Sequence, residues 1–135
     1  MLLVDRVYEE TGTGKKILCG TLNTFYADKF PSLYAPATLF ISLTDFTGCE
    51  KFELRLIDLS DFEVVFTVQI EAEASADRFK THEITASFPV FPLPHAGTFT
   101  LEVHWRDILI GSLRLFVIQR PATPTEGEDD GNHAD

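Results

Sequence analysis

From Phe62 to Ala72 every second residue is apolar. Phe62, Val64, Phe66, Val68, Ile70 and Ala72 fall on one side of an extended chain, and Glu63, Val65, Thr67, Gln69 and Glu71 fall on the other. Successive side chains of a strand point to opposite faces, so this stretch reads as a strand with one dry and one wet side. The same alternation recurs in Leu39, Ile41 and Leu43, in Phe52, Leu54 and Leu56, in Ile84, Ala86 and Phe88, and in Phe99, Leu101, Val103 and Trp105. Half-wet strands belong to antiparallel sheets, because parallel strands covered on both faces read as continuous apolar runs.

Three weaker strands complete the pattern. Residues 2–9 and 16–22 flank Thr11-Gly12-Thr13-Gly14, a turn with two glycines free to take positive φ. Residues 109–118 return from the strand before them across Arg106-Asp107. Two segments resist regular pairing because prolines lack the ladder donor: 23–36, with Pro31 and Pro36, and 89–97, with Pro89, Pro92 and Pro94. They read as irregular crossings between sheets, the first with room for a helical turn. No window carries three turns of helix.

The expected fold is therefore all-β: a two-sheet antiparallel β-sandwich of about eight strands, immunoglobulin-like or jelly-roll, with a closed small barrel as second choice. The domain spans 1–120. Residues 121–135 hold five acids and no Lys or Arg, and read as a disordered acidic tail.

Charge narrows the partners. The net charge is −10, from 21 acidic and 11 basic residues, and the body retains 16 acids against those 11 bases. Such a surface repels a phosphate backbone, so no nucleic-acid partner is expected. No run approaches the ~20 apolar residues of a membrane span, and charges follow Met1-Leu2-Leu3-Val4 too soon for a secretory leader. With no leader, Cys19 and Cys49 read as two reduced thiols and the compartment as the cytoplasm.

The residues of catalysis are sparse. His82, His95, His104 and His133 accompany no Gly-x-Ser-x-Gly elbow, and neither cysteine has a histidine at ligand spacing. Asp58, Asp61 and Glu63 cluster at a turn, as do Asp45 and Glu50, but carboxylates at turns are ordinary solvation as well as calcium ligands. Gly12-x-Gly14-Lys15-Lys16 lacks the spacing and the following helix of a phosphate loop. No catalytic residue, metal or cofactor is assigned. The leading expectation is a non-catalytic binding or structural module; the alternative is a small hydrolase or metal-dependent enzyme with its site at one end of the sandwich.

For recognition the chain offers aromatic side chains on irregular backbone, where binding residues concentrate. The candidate binding residues are Phe25, Tyr26, Phe30 and Tyr34 in the first crossing, Phe91 and His95 in the second, and Trp105 beside the Arg106-Asp107 turn. The competing reading is that these rings plug the ends of the core. The final strand carries Arg114 as its sole charge, whereas the first carries Asp5, Arg6, Glu9 and Glu10. An exposed final edge would invite a protein partner or self-association.

Several stretches resemble one another's counterparts in a family of small, mostly uncharacterised bacterial proteins with a predicted β-sandwich domain. They are Asp5-Arg6-Val7-Tyr8, the run Lys16 to Asn23, Phe30-Pro31, the run Phe91 to Val103 with its proline–glycine crossing, and Leu109-Ile110-Gly111-Ser112-Leu113. The resemblance covers residues 1–120 and implies the sandwich fold, with no catalytic residues to carry over. The family hairpin often has Asp-Gly where this chain has Arg106-Asp107.

Overall fold

A computed structural model describes residues 1–121 apart from Ser75 and Pro89. Of the expected tail, residues 122–135 lie outside the described residues. Among those described there is no helix; the elements are β1 (Leu2–Glu9), β2 (Lys16–Thr21), β3 (Thr24–Ala27), β4 (Ser32–Tyr34), β5 (Ala37–Leu43), β6 (Gly48–Asp58), β7 (Val64–Ala74), β8 (His82–Phe88), β9 (Phe91–Leu93), β10 (Gly97–Trp105) and β11 (Ile108–Gln119). They form a four-stranded sheet ordered β2-β1-β5-β8, a five-stranded sheet ordered β3-β11-β10-β6-β7, and the pair β4-β9.

The all-β class stands, but among the described residues the strands number eleven rather than about eight. The three additions are β3, β4 and β9, all inside the proline-bearing segments expected to be irregular. Pro92 sits in β9, opposite Leu33 of β4. In a two-stranded ladder each strand keeps a free edge, where the missing N–H of proline costs nothing. The helical turn allowed for the first crossing does not form.

Pairing is antiparallel except at β3, which runs parallel to the end of β11 with Tyr26 opposite Ile118. The first strand is not an edge: β1 lies between β2 and β5. Arg106 and Asp107 take φ of 49° and 63° and close a two-residue turn between Trp105 and Ile108. Positive φ at both centres matches the twist of the flanking strands, so this chain reaches the favoured hairpin turn without glycine.

One stretch of the alternation breaks. Phe62 and Val64 are 76 % and 51 % exposed, although both were expected on the dry face. A bulge shifts the β6–β7 register between Leu56 and Ile57, leaving Val65 as the extra residue. Such an insertion reverses which parity faces inward. Val65 and Phe66 consequently pack on the core, and Phe62 sits in the turn with its amide donating to the Asp58 carbonyl.

Both large sheets contribute to a single core cluster: Leu3 and Leu39 from one, Leu54, Leu101 and Leu115 from the other, with Phe91 of β9 between. This core, with the long ladders beside it, makes the framework on which every candidate site is mounted.

Candidate functional site

The first group built by this framework is aromatic. Phe25 on β3 and Phe91 on β9 are both 1 % exposed and stack with centroids 5.3 Å apart and rings 10° from parallel. Tyr34 meets Phe25 edge-on at 4.9 Å, while Phe66 and Phe88 each meet Phe91 edge-on at 5.5 Å. Edge-to-face and offset stacking suit the ring quadrupoles. These rings fill the core, so Phe25 and Phe91 have no surface to offer a partner. Phe30 packs half-buried against the same cluster. Tyr34 is half-buried, and its hydroxyl donates to Asp5 Oδ1 at 2.9 Å. Burial, then the Asp5 carboxylate, raises the Tyr34 pKa above 10.0. Tyr26 alone of this set is exposed, on the outer side of β3.

His95 belongs to a second group. Its Nδ1 lies 2.6 Å from the Ala96 carbonyl and its Nε2 contacts Asp58 Oδ2. Both partners only accept, so the arrangement favours the doubly protonated ring, whose two N–H groups can both donate. The Ala96 carbonyl first, then Asp58, raises its pKa above 6.5. Asp58 is 5 % exposed; burial pushes its carboxyl up, but hydrogen bonds from the Ser60 hydroxyl and amide and from His95 outweigh burial and leave it below 3.8. Ser, Asp and His thus meet, with the carboxylate in the middle. A nucleophilic serine needs a base to take its proton, and here the Ser60 hydroxyl donates to a weakly basic carboxylate while both ring nitrogens of His95 are engaged by Ala96 and Asp58. The network instead pins the β6–β7 turn to the start of β10. Asp61, grouped with Asp58 in the sequence, accepts from the Glu63 amide in the same turn.

At the other end of β10, Trp105 is half-buried against the core and donates through Nε1 to Glu50 at 3.0 Å. Arg106 covers the indole at 4.6 Å from the ring centroid and reaches Glu50 at 3.0 Å. Beside it, a basin of about 400 Å³ is lined by Cys49, Lys51, Glu53, Gln69, His104 and Asp107, among others. His104 Nε2 is 2.9 Å from Glu102, and its buried Nδ1 has no partner. Arg55 binds Glu53 at 2.8 Å and holds that carboxyl below its ordinary range. Cys49 and His104 are set apart along the sheet: His104 registers with Glu53, four residues along β6 from Cys49, roughly 13 Å of extended chain. Among the described residues no three His, Cys, Asp or Glu side chains converge to hold a metal ion.

The last group lies along β11, and only its backbone reveals it. The Phe116 amide donates to the Asn23 carbonyl at 2.8 Å, on the side away from β10. Backbone groups alternate sides along a strand, so the N–H and C=O of Ser112 and Arg114 point the same way. The β3 ladder, however, covers only Phe116 to Gln119. Among the described residues no strand pairs with the edge of β11 before Phe116. Next to it opens a groove of about 200 Å³, lined by Met1, Ile41, Leu43, Val103, Ile110 and Gly111 among others. Ile108, Leu109 and Ile110 at its end are 56 %, 51 % and 41 % exposed.

Of the candidates named from sequence, the structure brings Phe25, Phe30, Tyr34 and Phe91 together around one core and leaves His95 and Trp105 at opposite ends of β10. Reading the sequence alone missed Asp58 as the partner of His95 and Glu50 as the partner of Trp105. The Asp58-Leu59-Ser60 spacing, typical of a side-chain-capped turn, was the available signal for the first. No curated protein and no solved structure matches the chain. A family model matches residues 1–118, described as a family of unknown function (DUF6941), in agreement with the resemblance read from the sequence.

Proposed function

The chain belongs to DUF6941, a family of unknown function, and we propose that it is a non-catalytic binding module that recognises a protein by accepting an extended segment as an added strand. The observation that carries this reading is the uncovered half of β11 beside an apolar groove. Unpaired edge groups are a template for another strand: main-chain hydrogen bonds supply affinity, and alternate side chains in flanking pockets supply selectivity. The titratable groups favour the same reading, since Asp58, His95, Glu50 and Glu53 are spent on structural pairs. Opposed sheets sharing one core support a sandwich of immunoglobulin-like or jelly-roll kind. We place it in the cytoplasm, where two free and exposed thiols, Cys19 and Cys49, remain reduced.

Selection of binders from a random-sequence peptide display library, repeated on Ser112→Pro, tests the function. That substitution removes one outward N–H and leaves the β10 ladder intact, since the Ser112 amide points away from β10. Enriched peptides that lose binding to Ser112→Pro are expected. Binders indifferent to the substitution would place recognition elsewhere.

A further inference from the structure

We infer that the segment accepted at β11 carries an acidic residue opposite Arg114 and a large apolar residue opposite Gly111; this rests on the open-edge reading above. Arg114 is exposed, and it makes no ion pair among the described residues. It stands between Leu113 and Leu115, which pack on the core, so its guanidinium lies on the outer side of the sheet, beside the uncovered edge. An incoming strand would place one residue opposite Arg114 on that face. Opposite charges facing each other across strands are favourable and like charges are not.

Gly111 lies on the other side of the sheet. It registers with Val103, which is 1 % exposed, so its missing side chain would point toward the core. The nearest foreign atom to a Cβ placed there is Met1 Cε at 3.8 Å. The gap is part of the groove bounded by Met1, Ile41, Leu43 and Ile110. A leucine-sized side chain entering opposite Gly111 would bury apolar surface from all four. Positions 111 and 114 differ in parity, so the acid and the apolar side chain of the partner point to opposite faces and stand three residues apart.

The same geometry argues against symmetric pairing of β11 with β11 of a second copy. Between Ile108 and Gln119 a second copy offers no acidic residue to meet Arg114.

The test uses the intact protein and capped eight-residue peptides of alternating threonine and valine, with one leucine and, three residues away, one glutamate; a matched peptide has lysine for glutamate. Binding is read from the backbone amide resonances of Ser112, Leu113 and Arg114 at low salt. The glutamate peptide should bind about 5-fold tighter than its lysine counterpart, by the size of cross-strand charge pairs, and Arg114→Glu should reverse the order. Replacing the leucine by alanine should weaken binding to the wild type and have no effect on Gly111→Leu, whose own side chain fills the gap. Equal binding of both charged peptides, each lost in Ser112→Pro, would overturn the charge assignment while leaving the open edge standing. Failure of either peptide to perturb these amides at millimolar concentration would overturn the edge itself. The Arg114→Glu reversal decides the matter should Ser112→Pro fail to fold.

Discussion

Asp58 and His95, 37 residues apart in the chain, meet through Oδ2 and Nε2 at the start of β10. The carboxylate is nearly removed from solvent, and the ring is half in water, with 44 % of its side chain exposed. Because His95 titrates higher in the folded chain than in the unfolded one, its contribution to stability is complete below about pH 6.5 and fades as pH rises through the raised pKa. Asp58 titrates lower when folded, so its contribution is present above about pH 3.8 and is lost as pH falls through the lowered value. Melting temperature should therefore be highest between these limits and decline from about pH 6.5 toward 8. His95→Gln should flatten the alkaline decline and reduce, without removing, the acid one, since the two Ser60 hydrogen bonds to Asp58 remain. A wild-type melting temperature that rises over pH 6–8 would contradict the pairing.

Phe91 is the ring on which Phe25, Phe66 and Phe88 all pack. Phe91→Ala leaves a cavity that four strands cannot close together, and should cost about 3–5 kcal/mol. Denaturant titration measures this directly. A loss under ~1 kcal/mol would mean the site collapses freely.

Gly20 stands opposite Asp5 between the Val4–Thr21 and Arg6–Cys19 pairs, at φ 72°. A side chain there would be strained by the backbone and would collide with the Asp5 carboxylate. Gly20→Ala should destabilise by about 1–3 kcal/mol and, by displacing Asp5 from Tyr34, lower the phenol pKa toward 10.0. Ultraviolet titration of the tyrosines reads the second effect independently of the first.

Much of the frame was legible because alternation is a local signal. The strands from Leu39 to Leu43, Phe52 to Leu56 and Phe99 to Trp105 stand where the pattern placed them. The exceptions have physical causes. The bulge at Val65 depends on how β6 and β7 are registered, which no window of residues reports. Strand β9 holds Pro92, which a central strand forbids, and is admissible only because it keeps a free side in its two-stranded pairing with β4. The sites were less legible still. The aromatic residues of segment 24–36 look alike in sequence, yet Phe25 is 1 % exposed and its neighbour Tyr26 is 53 % exposed; only the strand phase of β3 separates them. The open edge of β11 arises from the shortness of β3, a property of another segment altogether.

Arg106 and Asp107 hold positive φ without glycine. Asp107 is exposed, and its contact with Arg55 is long, at 3.8 Å. Asp107→Gly should relieve the left-handed backbone at little electrostatic cost and stabilise the hairpin by up to about 1 kcal/mol. A loss of stability on thermal melting would show that the Arg55 contact outweighs the backbone term.

Amide hydrogen exchange along β11 in dilute protein tests the uncovered edge most directly. The amides of Leu113 and Leu115 face β10, and those of Phe116 and Ile118 face Asn23 and β3, so all four should exchange slowly. Those of Ser112 and Arg114 face an edge on which no strand lies among the described residues and should exchange orders of magnitude faster, an alternation of slow and fast along one strand. Adding the glutamate-bearing peptide should slow these two amides specifically. Ser112 and Arg114 protected as strongly as Leu113 in the free, dilute chain would mean the edge is already covered, and would contradict recognition by strand addition.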